Sequence, residues 1–136
     1  METNQSVENS IRHSFYETGF GVYNGVELDL LERDHAKAHL DITPNSLNPF
    51  GGIHGGAMFT LADICGGMAT RSDGRHYLTQ CGDIHFIRSV GEGVVRAESR
   101  VVHRGRTTCL VRVDITDADD RLLSTAELTF FCMDKG

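Results

Sequence analysis

The chain has 136 residues, 40% of them apolar and 24% charged, with a formal net charge of -6. That length suits one domain with its own core, and the acidic balance argues against general nucleic-acid or anionic-membrane binding. The four cysteines (Cys65, Cys81, Cys109, Cys132) are widely spaced and form no C-x-x-C pair, so neither a zinc site nor a disulfide framework is signalled. The longest apolar run, residues 55–69, falls short of the roughly 20 residues a membrane span needs and carries Asp63. The polar, acidic start M-E-T-N-Q-S-V-E-N-S is unlike a signal peptide, so the cytoplasm is the expected compartment.

Taken in order, residues 1–10 are expected to be flexible, and residues 7–16 predict a short helix with Val7, Ile11 and Phe15 on one face. Gly19 and Gly21 should end it. Val26, Leu28 and Leu30 alternate with Glu27 and Asp29, which predicts a half-buried strand. Arg33-Asp34 reads as a turn into a second, antiparallel strand, where Ala36, Ala38, Leu40 and Ile42 alternate with Lys37, His39 and Asp41. A glycine-rich loop over residues 47–56 then leads into a helix placed at about residues 55–72. At 1.5 Å per residue that helix is roughly 25 Å long. It is apolar on almost every side and should be covered by sheet or by another subunit. Gly66-Gly67 inside it predicts close approach of another backbone, since each glycine costs roughly 1 kcal/mol relative to alanine.

Four strands follow. Leu78, Ile84 and Phe86 share one parity in the first, and Val95, Ala97 and Val101 in the second. Cys109, Val111, Val113 and Ile115 mark the third, and residues 122–133 the last. Turn signals at residues 91–93, 104–106 and 117–121 predict short antiparallel connections between neighbours. One helix cannot cover both faces of such a sheet, so a curved sheet around the helix is expected, with oligomerisation covering part of the other face.

Within residues 48–70 the anomaly is Asp63. A carboxylate in an apolar helix is costly when buried unless it is paired or hydrogen-bonded, and such groups are kept for structure or for chemistry. His54 lacks a second ligand at metal spacing, so a metal role is not indicated; a tight-loop cap is its bland reading. No G-x-S-x-G elbow signals a serine hydrolase.

The run N-x-F-G-G-I-H-G-G-x-x-x-x-L-A-D, with asparagine six residues before the histidine and aspartate nine after it, resembles the hotdog-fold acyl-CoA thioesterases. It is most similar to their phenylacetyl-CoA thioesterase-like branch, and the likeness spans residues 24–133. The resemblance implies an α+β fold, with a six-stranded antiparallel sheet around one central helix and a short N-terminal helix. It also implies a single domain over residues 1–136, a homodimer often paired into a tetramer, and an acyl-CoA substrate without a separate cofactor.

By position, the resemblance assigns Asp63 as general base or nucleophile and the Gly55 N–H as oxyanion donor. Asn48 would hold the water or carbonyl, His54 would orient the loop and Asn48, and Thr79 would hydrogen-bond the water or the carboxylate. Arg88 and the hairpin His103-Arg104-Gly105-Arg106 would contact coenzyme A phosphates; a solvated turn is the alternative there. Phe50, Met58 and Phe59 flank the loop and are the acyl-pocket candidates, although simple packing would also explain them. Gly55 and Asp63 lie about 12 Å apart along the helix, too far for both to serve one carbonyl within one chain. The site is therefore expected to need two chains. A non-catalytic acyl-CoA-binding module is the alternative function, and a hydratase would require a different acid–base pair.

Overall fold

The structure, a computed structural model, describes residues 4–134. Two helices come first, α1 (Asn4–Glu17) and α2 (Gly19–Tyr23), then strands β1 (Val26–Glu32) and β2 (His35–Asp41). The long helix α3 (Gly55–Arg71) precedes β3 (Tyr77–Phe86), β4 (Val94–Arg104), β5 (Thr108–Thr116) and β6 (Leu122–Cys132). The six strands form one antiparallel sheet in the order β1-β2-β4-β5-β6-β3. Among the described residues, no helix is long and apolar enough to cross a membrane.

Several sequence expectations need correction. Residues 4–10 are helical rather than flexible, and residues 1–3 lie outside the described residues. Val7 and Ile11 are buried as the spacing predicts, and α1 ends at Glu17 just before Gly19, but Gly19 and Gly21 then belong to a second short helix, α2. In β1 a bulge between Leu28 and Leu30 turns Leu31 inward, and Leu30 is left half-buried. The turn at residues 91–93 does not join a hairpin, because β3 pairs with β6 and β4 lies between β2 and β5. Residues 87–93 instead cross beside the start of α3, where Ile53 N donates to Val90 O at 2.8 Å. Gly91 is required there, since a Cβ would stand 2.5 Å from the Gly51 carbonyl oxygen.

Helix α3 meets the sheet with one side only. Met58, Leu61, Ala62, Cys65, Met68 and Ala69 are buried in the core. Gly56, Thr60, Asp63, Gly67 and Arg71, spaced by four, three, four and four residues, form a stripe that is exposed or half-buried. Close approach is real at Gly66, but side chains make it rather than backbone: an added Cβ would lie 3.1 Å from Leu128 and 3.4 Å from Val113 and Phe130. At Gly67 the nearest atom, on Phe130, is 3.6 Å away, an ordinary contact.

The C-terminal end of α3 is pinned by Arg104. Its Nη1 donates to Asp73 Oδ2 at 2.7 Å, Tyr77 Oη at 2.9 Å and the Thr70 carbonyl at 2.9 Å. Its Nη2 donates to Asp34 Oδ1 at 2.7 Å and the Ala69 carbonyl at 3.2 Å, and Nε also reaches Asp34. The Thr70 carbonyl is thus satisfied by a cation, the favourable sign at a C-terminus, while the Ala69 carbonyl also accepts from Ser72 Oγ at 2.6 Å. Burial works to raise the Asp73 carboxyl, but hydrogen bonds from Tyr77 and Arg75 and the charge of Arg104 outweigh it and hold it below the ordinary value.

Gly66→Val should lower the unfolding free energy by about 1–3 kcal/mol through overpacking, while Gly67→Ala should raise it by up to about 1 kcal/mol. Urea melts of both variants check this; equal losses at the two sites would contradict the packing. Because Asp73 is depressed in the folded state, its contribution is present above the unfolded carboxylate value near 3.9 and is lost as pH falls through the folded value. Asp73→Asn should therefore cost on the order of 3 kcal/mol at neutral pH, and its melting curve should converge on that of the parent protein in acid.

Candidate active site

Asp63 sits midway along the open stripe of α3, where the helix turns a carboxylate toward the edge strand β3. It is half-buried, not buried as its apolar surroundings in sequence suggested, because the stripe faces an open cavity bordered only by α1 and the edge strand β3. Its partner is Thr79, whose Oγ1 donates to Asp63 Oδ1 at 2.5 Å. A β-bulge follows directly, between Thr79 and Cys81. Thr79 pairs with buried Phe130, and beyond the bulge Ile84 pairs with buried Ala126. Thr79, Ile84 and Phe86 consequently all face the helix, while Leu78 faces outward beside exposed Phe131 and does not share their side.

The loop before α3 is held by its own polar groups. Asn48 Oδ1 accepts from the backbone N–H groups of Phe50 (2.9 Å) and Gly52 (3.2 Å), which leaves the Asn48 Nδ2 donors without a protein acceptor among the described residues. His54 is the N-cap of α3, with Nδ1 accepting from Gly56 N at 2.8 Å. A neutral ring therefore carries its proton on Nε2. His54 makes no hydrogen bond to Asn48; it orients the helix start rather than the asparagine. The Gly55 N–H is the first of the helix and has no acceptor among the described residues. It thus remains an oriented donor at the positive end of the helix. The Phe86 ring lies 3.1 Å from where a Gly55 Cβ would stand.

The coenzyme A candidates separate into two groups. Arg88 is exposed and follows Phe86, next to the N-terminus of α3. The β4–β5 hairpin lies at the other end of the helix, where Arg75 donates to the carbonyls of Arg106 (2.8 Å) and Gly105 (3.3 Å). His103 and Arg106 are exposed there, but Arg104 is not available to phosphate: every nitrogen of its guanidinium is engaged inside the protein and the side chain is 14% exposed. Among the acyl-pocket candidates, Met58 is a core residue whose Sδ accepts from Ser124 Oγ at 3.2 Å. Phe50 is 95% exposed on the loop, and Phe59 packs half-buried against the core.

Sequence reasoning missed the cavity. An open pocket of about 320 Å³ lies between α1, α3 and the start of β3, with Asp63 and Thr79 in its wall. Ile11 and Phe15 of α1, Ile64 and Met68 of α3, and Phe130 give it an apolar lining, and Gly67 opens space on the helix side. Arg71 stands at its far end. Burial lowers the Arg71 guanidinium from its ordinary value. The spacing Asp63, Gly67, Arg71 at i, i+4 and i+8 was the available signal. Among the described residues, no group of three histidine, cysteine or acidic side chains is placed to hold a metal ion.

A thioesterase superfamily profile matches residues 50–124, more than half of the chain. The proofreading thioesterase EntH of Cronobacter turicensis is 32% identical over 109 residues, which covers 77% of this chain and 79% of that protein. A hypothetical thioesterase of Streptococcus pneumoniae solved with coenzyme A superposes with a TM-score of 0.83 at 28% identity, over 90% of this chain and 97% of that one. The E. coli PaaI protein from the phenylacetic acid degradation operon gives a TM-score of 0.90 over 97% of both chains; at 20% identity this likeness speaks for the fold alone. The chain belongs to the thioesterase superfamily and is a thioester hydrolase built on the hotdog fold.

Proposed function

We propose that the protein hydrolyses acyl-CoA thioesters to a free acid and coenzyme A, with Asp63 as the group that delivers water. The observation that carries this reading is the Thr79–Asp63 hydrogen bond on the wall of an apolar cavity. Thr79 occupies Oδ1 and fixes the carboxylate plane, leaving Oδ2 to accept a proton from water as it attacks the thioester carbon. Direct attack by the carboxylate would give a mixed anhydride instead. Single turnover in ¹⁸O-water tests for that route: label in Asp63 requires an anhydride opened by water at the Asp63 carbonyl, whereas water delivered by Asp63 puts all the label in the free acid.

The oxyanion donor in this reading is the Gly55 N–H of a second chain. Eight residues of helix put it about 12 Å along the axis from Asp63 of its own chain, while oxyanion donors act at about 3 Å. The β3 edge of ten residues supports such pairing, since it is open and carries exposed Leu78 and Phe86. Asn48 Nδ2 would hold the water or the carbonyl, with His54 acting through its cap on the helix start. The coenzyme A phosphates would meet Arg88 of one chain and His103, Gly105 and Arg106 of the other, since these groups lie at opposite ends of α3.

Asp63→Asn should lower kcat by about 10²- to 10⁴-fold with KM changed only a few-fold, measured by free-thiol release over short, medium and aromatic acyl-CoAs. Thr79→Ala should lower kcat less than Asp63→Asn does. Near-normal turnover by Asp63→Asn would overturn the assigned chemistry, and tight acyl-CoA binding without hydrolysis by the parent protein would favour a binding module.

A further inference from the structure

Arg71 is the last residue of α3 and lies in the wall of the same cavity as Asp63. Its guanidinium has one hydrogen bond, from Nη1 to Ser14 Oγ of α1 at 2.8 Å. No carboxylate lies within ion-pair distance among the described residues, and Nε is buried without any acceptor. The nearby acids are committed elsewhere: Asp73 to Arg75, Arg104 and Tyr77, and Asp63 to Thr79. A cation in the last turn of a helix offsets the negative end of the dipole, and the Ser14 bond fastens α1 to α3. Those two roles explain why an arginine is tolerated. They leave one buried donor, Nε, with no acceptor, an expensive arrangement that an incoming acceptor would relieve.

The stripe that holds Asp63 at one end of the cavity holds Arg71 at the other, with side-chain-free Gly67 between them. Eight residues of helix separate the two by about 12 Å. An acyl group whose thioester carbon meets Asp63 therefore extends along Gly67 and Phe130 toward Arg71. The wall it passes is apolar; its end is not.

The geometry points to a substrate class: acyl-CoAs whose acyl group has an apolar body and an oxygen acceptor, carboxylate or hydroxyl, at its far end, which Arg71 binds. This rests on the thioesterase reading above and adds to it the group that selects the acyl chain. Arg71 is a specificity determinant in this account and takes no part in bond breaking. Carboxylate is the stronger acceptor because its pairing with guanidinium is charge-assisted and can be bidentate.

The test uses matched acyl-CoAs on one carbon skeleton, unsubstituted, with a distal hydroxyl, and with a distal carboxylate, each assayed by thiol release. The parent protein should show kcat/KM at least about tenfold higher for one of the substituted members than for the unsubstituted one. In Arg71→Met that ratio should fall to near one, whatever happens to the absolute rates. Arg71→Lys should keep a preference for carboxylate over hydroxyl, and it remains informative if a thermal melt shows that Arg71→Met does not fold. The hydroxyl and carboxylate arms tell the two acceptors apart. Turnover of the unsubstituted member with no preference, or a preference unchanged in both variants, would overturn this inference alone. A folded parent protein that turns over none of the three would overturn the thioesterase reading, and the inference with it.

Discussion

Everything in this molecule depends on helix α3 lying on the sheet by one side only. The sheet side is packed to contact distance at Gly66, where leucine, valine and phenylalanine side chains of β5 and β6 would crowd a Cβ at 3.1–3.4 Å. The opposite side is a stripe of small and polar residues that only the edge strand β3 and helix α1 border, across an open cavity. A fully buried helix could not carry a carboxylate at residue 63 without a buried cation to pair with it. A fully exposed one would give no apolar wall for an acyl group. The half-open arrangement provides both, and α1 closes the cavity from the far side through Ile11 and Phe15.

The stripe is useful only because the helix is held in register against β3. At the N-terminus, His54 caps the first turn and the loop hydrogen bonds of Asn48 set the entry of the chain. At the C-terminus, Arg104 ties the last carbonyls to Asp34 and Asp73. Between those anchors the bulge after Thr79 rotates β3 so that threonine and, farther on, phenylalanine both meet the helix. Arg104, a coenzyme A candidate by resemblance, serves this anchoring with its whole guanidinium.

Much of this was legible in the chain itself. Period-two alternation located the strands, the glycine-histidine loop located the helix start, and the N-x-F-G-G-I-H-G-G run pointed to the fold. What escaped was set by tertiary register. The bulges in β1 and β3 shift parity by one residue, so Leu30 and Leu78 were read on the wrong face. The neighbours of β3 and β4 could not be inferred from a turn signal, because a short loop and a crossover use the same residues. Met58 looked like a pocket residue for its position beside the loop, yet helical spacing from Leu61, Ala62 and Cys65 places it in the core. Arg71 drew no notice because a cation in a last turn is ordinary; only the orphaned nitrogen beside the cavity sets it apart.

In the proposed dimer one helix contributes to two sites, its Asp63 to one and its Gly55 N–H to the other. Subunit mixing tests it most directly. An Asp63→Asn chain and a Gly55→Pro chain, whose proline removes the N–H at a first helical position that tolerates it, are first shown to be inactive alone, then unfolded together, refolded and assayed on an acyl-CoA that the parent protein hydrolyses. Random pairing of two chains into symmetric dimers makes half of them mixed, each with one intact site, so activity should return to about one quarter of the parent value. Mixed dimers that form, as shown by differently tagged chains, and yet stay inactive would contradict the split site, as would a monomer with full activity.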